Sequence, residues 1–111
     1  MKIGQYELHS IETGRFALDG GAMFGIVPKE LWSKLHPADD KNRIDMALRS
    51  LLIMDDKRKI LIDTGIGTKL SKKSQKIYKL DLTEHNLEAS LEKYDLETKD
   101  ITDVILTHLH L

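Results

Sequence analysis

The chain has 111 residues, of which 41% are hydrophobic and 32% are charged, with 17 Lys and Arg against 18 Asp and Glu. A globular chain of this size holds one domain with a single modest core. The absence of Cys excludes disulfides and thiolate metal sites, so any metal must be held by His and carboxylate groups. Residues 1–5 lack the apolar core of a signal peptide, and no apolar run approaches the ~20 residues of a membrane helix. We therefore expect a soluble, cytoplasmic protein without a membrane partner.

The first part of the chain predicts strands followed by a short helix. Residues 3–11 alternate loosely between apolar and polar side chains, and residues 15–18 follow a Thr-Gly pair, which predicts an opening antiparallel hairpin. The Asp-Gly-Gly sequence at residues 19–21 interrupts this pattern. Pro28 favours the first turn of a helix over residues 29–35, which ends before the next proline.

The second part predicts a hairpin, a helix and a last strand. Residues 47–54 and 59–62 carry the strongest strand patterns and are joined by a charged turn, so they should pair. Thr83 can cap a helix that packs on the sheet. The apolar face of that helix has the spacing i, i+4, i+7 and consists of Leu87, Leu91 and Tyr94. Residues 101–107 form a nearly unbroken apolar run, which is typical of a strand buried on both faces.

Two histidines follow this last strand directly. In an extended segment the side chains of His108 and His110 point to the same side, with Cα atoms ~6.6 Å apart, so both rings can reach one metal ion. A His-x-His pair alone is a weak signal, and two polar residues without a ligand role are the simpler interpretation. Their position past the carboxyl end of a strand, where sheet proteins gather ligand groups, favours a metal site.

Asp63 lies at the tip of the apolar strand 59–62 and precedes a Gly-bearing turn. A carboxylate in that position can ligate a metal, transfer a proton, or accept a hydrogen bond that orients a metal-bound imidazole. It can also simply cap the turn through its own backbone. The residues alone leave these roles open.

The order of these motifs resembles the first half of the metallo-β-lactamase superfamily, whose signature His-x-His-x-Asp-His would begin at His108. Residues 18–32 are similar to the opening segment of the quorum-quenching lactonase and organophosphorus hydrolase branch, so the resemblance covers nearly the whole chain. It implies an α+β fold, in which a mixed sheet is covered by helices and residues 1–111 form the N-terminal half of an αββα sandwich. The chain would then be an N-terminal fragment that stops inside the signature.

The resemblance also implies site residues and chemistry. His108 and His110 would be the first two ligands of a centre that holds two zinc or other divalent transition-metal ions, and Asp63 would support the metal loops without binding metal. The loop bordering the substrate pocket would consist of Asp19, Gly20, Gly21, Met23 and Phe24. The implied reaction is hydrolysis of a small lactone, ester or phosphotriester substrate by a metal-bound hydroxide.

A catalytic zinc normally takes three protein ligands, and the family's other ligands would follow Leu111. We therefore expect this chain alone to bind metal weakly or not at all and to be inactive. We also expect it to self-associate through an open apolar sheet face, or to be partly disordered near its carboxyl terminus. One alternative is a catalytically dead, self-associating structural or binding remnant of the fold. Another is a nucleic-acid-processing member, favoured by the five Lys in residues 69–79. Balanced charge and few aromatic residues make a nucleic-acid partner the weaker expectation.

Overall fold

A computed structural model describes residues 1–110. Its framework is one five-stranded sheet in which neighbours in space are also neighbours in sequence, antiparallel throughout except for the parallel last pair. The strands are β1 (Lys2–Ile3), β2 (Tyr6–Asp19), β3 (Arg43–Met54), β4 (Lys59–Ile62) and β5 (Asp103–Ile105). The helices are α1 (Gly20–Phe24), α2 (Lys29–Trp32), α3 (Lys72–Ile77) and α4 (Leu87–Glu92), followed by a 3-10 turn at Thr98–Asp100. The mixed sheet with helices confirms the α+β expectation.

The predicted opening hairpin between residues 3–11 and 15–18 is wrong. Residues 6–19 form one 14-residue strand, β2, which pairs with β3 along its length, and Ile3 lies in the separate strand β1. The Thr-Gly pair forms a bulge instead of a turn, because the register shifts between Glu12 and Gly14. A Cβ on Gly14 would lie 2.6 Å from Leu82 Cδ2. A larger residue at position 14 would therefore need the Leu82 side chain to shift.

The second predicted hairpin is confirmed. β3 and β4 pair antiparallel from Leu51 with Ile62 to Met54 with Lys59, although β3 begins at Arg43, four residues before the predicted start. The Asp55 carboxylate closes the turn by accepting hydrogen bonds from the backbone N–H groups of residues 57 and 58, at 2.8 and 2.6 Å.

The predicted helices form, but with different ends. α2 starts after Pro28 and ends at Trp32 instead of residue 35. α4 is capped by Asn86, whose Oδ1 accepts from the N–H of Ala89 at 2.8 Å, while Thr83 hydrogen-bonds to Asp81. α4 packs on β2 and buries Leu91 completely. The main core cluster lies between them: Ile11, Leu52, Leu61, Leu91 and Leu96.

β5 differs from its prediction in burial. It pairs in parallel with β4 and is the outermost strand of the sheet. Val104 and Ile105 are 52% and 51% exposed, so the predicted burial on both faces is wrong for this chain. An apolar run in the sequence predicts a strand but does not show whether another element covers it. No strand within residues 1–110 pairs with the outer edge of β5.

The sheet carries apolar side chains on the face opposite Leu52 and Leu61. Cross-strand partners share a face, and the register therefore places one set of apolar residues together there, each partly or largely exposed. This set, called the open face below, consists of Leu8, Leu51, Ile53, Ile60, Ile62 and Ile105. Within residues 1–110, no helix is long and apolar enough to cross a membrane.

Candidate metal centre

The parallel pairing of β4 and β5 brings their carboxyl ends together. Asp63, the first residue after β4, has a left-handed backbone with φ of 63° and donates its N–H to the carbonyl oxygen of Ile105 at 2.8 Å. The segment that carries the histidines leaves β5 at the same edge. The structure thus brings Asp63, His108 and His110 together at one edge of the sheet.

Asp63 binds the histidine segment through both carboxylate oxygens. Oδ1 accepts from the backbone N–H of Thr107 at 2.9 Å, and Oδ2 accepts from its hydroxyl Oγ1 at 2.7 Å. The backbone N–H and then the hydroxyl of Thr107 lower the pKa of Asp63, so it is ionised at neutral pH. Because both carboxylate oxygens bind Thr107, Asp63 holds the segment that carries the histidines in place.

The two imidazoles lie side by side. The ring centroids of His108 and His110 are 4.9 Å apart, and the ring planes are inclined by 60°. His108 Nδ1 is 2.7 Å from Thr107 Oγ1, so this contact uses Nδ1 and not Nε2. Both rings line a small cavity of about 100 Å³. Its other lining residues are Leu48, Arg49, Asp63, Thr64, Gly65 and Leu106.

The donor types fit a zinc-type ion, but their number is low. Imidazole nitrogens suit zinc and several other divalent transition metals, and the two rings line the same small cavity. Within the described residues 1–110, no group of three or more His, Asp or Glu side chains is arranged to hold a metal. The structure therefore supplies two candidate ligands, one fewer than the three protein ligands of a usual catalytic zinc.

Two threonines at this site were missed by the sequence analysis. Thr107 connects Asp63 to His108, and its signal was its position between a strand and the first histidine. Thr13 is buried, with 3% of its surface exposed, and supports the turn after β4. A Cβ on Gly65, whose φ is 78°, would lie 2.7 Å from Thr13 Oγ1. Nothing in the local sequence pairs residue 13 with residue 65.

The predicted pocket loop lies elsewhere on this chain. None of its residues lines the cavity of His108 and His110. Asp19 pairs with Arg43 at the far end of β3, six residues or ~20 Å of strand from Arg49 in that cavity. The loop forms α1, where Asp19 Oδ1 accepts from the N–H of Ala22 at 3.1 Å. The other predicted loop residues are Gly20, Gly21, Met23 and Phe24.

Packing explains the glycine and the aromatic residue in this loop. A Cβ on Gly20 would lie 2.3 Å from the indole ring of Trp32. Phe24 stacks on the same indole with 5.1 Å between centroids, whereas Met23 is 44% exposed. Trp32 therefore joins α1 to α2, and the role of the loop in binding substrate stays a prediction.

A family model and several solved structures match this chain. Residues 49–111 match the family model described as the metallo-beta-lactamase superfamily. The chain is similar to the crystal structure of a probable metal-dependent hydrolase from Staphylococcus aureus, with 41% identity, a TM-score of 0.87, and coverage of 99% of this chain and 40% of that one. A search of curated proteins finds no match.

A second solved structure is that of AidC, a dizinc quorum-quenching lactonase in complex with a product, N-hexnoyl-L-homoserine. It is 26% identical with a TM-score of 0.66, and the match covers 99% of this chain and 35% of that one. The chain thus spans well under half the length of either solved protein. The family match covers more than half of this chain and includes Asp63, His108 and His110. The chain belongs to the metallo-beta-lactamase superfamily.

Proposed function

We propose that this chain carries the first two ligands of a hydrolytic metal centre that acts on small lactones or related esters, with phosphotriesters as the second substrate class. The observation that carries the proposal is the pair of imidazoles, 4.9 Å apart, at the carboxyl ends of two parallel strands. Zinc or a similar divalent ion, two in the whole protein, would when bound activate water and polarise the ester group. The lactonase AidC, similar over 99% of this chain, supports this substrate class.

The chain's own residues would divide the remaining work. His108 and His110 would ligate metal, and Asp63 would hold their segment in place without ligating. The exposed side chain of Met23, next to Phe24 on α1, would form an apolar wall for the non-polar part of the substrate. Asp19, Gly20 and Gly21 would set the path of this loop by capping α1 and packing on Trp32.

We further propose that residues 1–111 alone turn over little or no substrate and act in the cytoplasm as part of a larger catalytic unit. Two imidazoles bind zinc more weakly than a set of three protein ligands. The absence of Cys supports the cytoplasmic location.

The structural-remnant alternative is favoured by the open face, whose apolar side chains remain accessible in this chain. The nucleic-acid alternative has less support. α3 presents its lysines to solvent with no buried residue, but Tyr78 is the one aromatic residue in residues 69–79, and binding of single strands needs several stacking platforms. RNA binding that falls steeply with salt would favour this alternative.

Metal binding by the chain tests the ligand assignment. Co²⁺ titration followed by visible absorption should show binding that weakens at least tenfold in H108A and in H110A. The matched control is H36A, because His36 packs on Phe24 at 5.4 Å between centroids, on α1 instead of the candidate centre. Equal affinity in all four proteins would refute the assignment.

A second experiment tests the reaction. The intact mass of the purified chain, 12.7 kDa from its sequence, is compared with the mass encoded by its reading frame. If the frame continues into Asp-His, the encoded protein is assayed with acyl-homoserine lactones and with phosphotriesters, and lactone hydrolysis lost in H108A is the expected result. A frame that encodes only 12.7 kDa would favour the self-associating remnant.

A further inference from the structure

Thr107 has a hydroxyl group with two close polar neighbours and a single proton to share. Oγ1 is 2.7 Å from Asp63 Oδ2 and 2.7 Å from His108 Nδ1. A hydroxyl donates one hydrogen bond and accepts others through its lone pairs. The direction of each contact therefore follows from which neighbour lacks a proton.

Asp63 determines that direction. An ionised carboxylate only accepts hydrogen bonds, so the Thr107 hydroxyl proton must lie on the Asp63 side. The backbone N–H of Thr107 donates to the other carboxylate oxygen at 2.9 Å, so two hydrogen bonds hold Thr107 against Asp63. Rotating the hydroxyl away would break one of them. With its proton committed, Oγ1 can only accept from His108, so Nδ1 of the imidazole must carry the ring proton.

We propose that Thr107 is a positioning residue whose hydroxyl links the Asp63 carboxylate to His108 by two hydrogen bonds. This link fixes the histidine as the Nδ1–H tautomer and leaves the Nε2 lone pair for the metal. The inference rests on the proposed role of His108 as a ligand. It gives Asp63 a second task besides holding the loop, because the carboxylate sets the tautomer through an intervening hydroxyl. Metal-ligating histidines commonly donate their other ring N–H to an oxygen, which fixes the tautomer and raises ligand basicity.

The tautomer can be measured without metal. A long-range ¹H–¹⁵N correlation spectrum of the ¹⁵N-labelled, metal-free chain is recorded at about pH 8, where histidine side chains are ordinarily neutral. The wild type should show His108 with a protonated Nδ1 and a bare Nε2. T107V removes the hydroxyl at nearly constant shape and should shift His108 towards the Nε2–H form, whereas T107S keeps the hydroxyl and should preserve the wild-type signals.

The variants and controls separate this role from a merely structural one. His9 and His36 lie outside the centre, and unchanged signals from both show that T107V retains the fold. If T107V does not fold, the wild-type and T107S spectra still show which ring nitrogen of His108 carries the proton. A wild-type His108 with its proton on Nε2, or a folded T107V with the wild-type tautomer, would overturn the inference.

Zn²⁺ titration then separates this inference from the proposed function. Loss of the hydrogen bond behind a ligating histidine typically costs about 10- to 100-fold in metal affinity, which is the weakening expected in T107V and not in T107S. If His108 has the expected tautomer but H108A binds Zn²⁺ as well as the wild type, the ligand assignment fails while the tautomer assignment stands. If H108A loses binding but T107V does not, the positioning role of Thr107 is refuted and the proposed function stands.

Discussion

Gly65 illustrates how one residue shapes the candidate centre. The chain turns there with φ of 78°, and the glycine lies directly against Thr13. Gly67, two residues later, has nearly the same backbone angle, φ of 74°, but a Cβ there would meet no atom within 4 Å. Both glycines therefore need a positive φ, but only Gly65 is also closely packed against another residue.

This difference gives a matched pair of substitutions. G67A should destabilise the protein by ~1–2 kcal/mol, the cost of a side chain in the left-handed region. G65A should lower the free energy of unfolding by the same amount and by a further ~1–3 kcal/mol, because the new methyl group would overpack against Thr13. Urea denaturation of both variants measures the difference, and equal losses would show that the turn shifts away from Thr13.

At the level of elements, the β3–β4 turn depends on one carboxylate. The backbone N–H groups of Arg58 and then Lys57 lower the pKa of Asp55. A lowered folded-state pKa means that the carboxylate contributes stability above its ordinary value of 3.8 and that this contribution is lost as pH falls through the lowered value.

Wild type should therefore be more stable than D55N at pH 7, and the difference should shrink as pH falls below 3.8, the ordinary value. Denaturant midpoints of both proteins across this range measure the effect. D56N removes the same charge one residue later, at an exposed position, and serves as the control. A wild-type advantage that persists at the lowest pH would assign the effect to shape instead of charge.

α4 has only six residues and depends on its packing, because helices this short are unstable alone. Leu91 is fully buried against the sheet, so L91A should cost ~2–5 kcal/mol. E92A changes the next, exposed residue and should stay within ~0.5 kcal/mol of wild type. Thermal unfolding of the pair tests this, and similar melting temperatures would mean that α4 contributes little to the core.

Local patterns predicted the elements whose causes are local. Alternation of apolar and polar residues predicted the β3–β4 hairpin, and a proline predicted the start of α2. Long-range contacts decided the rest. Leu82 packs against Gly14 in the bulge, and Thr13 packs against Gly65. Neither partner is visible from the adjacent sequence.

The whole molecule is flatter than a closed globular domain. Its Cα radius of gyration is 16.3 Å and its extents are 49, 32 and 23 Å, whereas a compact chain of this length has a radius of gyration of about 13 Å. A single sheet with small helices accounts for this shape. The apolar side chains of the open face and the outer strand β5 are consequently available to a second sheet, since sheets stack face to face at a spacing of ~10 Å.

We therefore expect residues 1–111 to self-associate through the open face. Ile105 lies on that face and Val104 on the opposite one, and the two are almost equally exposed, at 51% and 52%. I105K should shift sedimentation from a dimer or larger species towards the 12.7 kDa monomer, because stacking would bury the new charge. V104K should stay associated if the face is the contact, whereas equal dissociation of both variants would indicate strand pairing at the β5 edge. A wild-type monomer with amides at residues 104–106 protected from exchange would contradict self-association altogether.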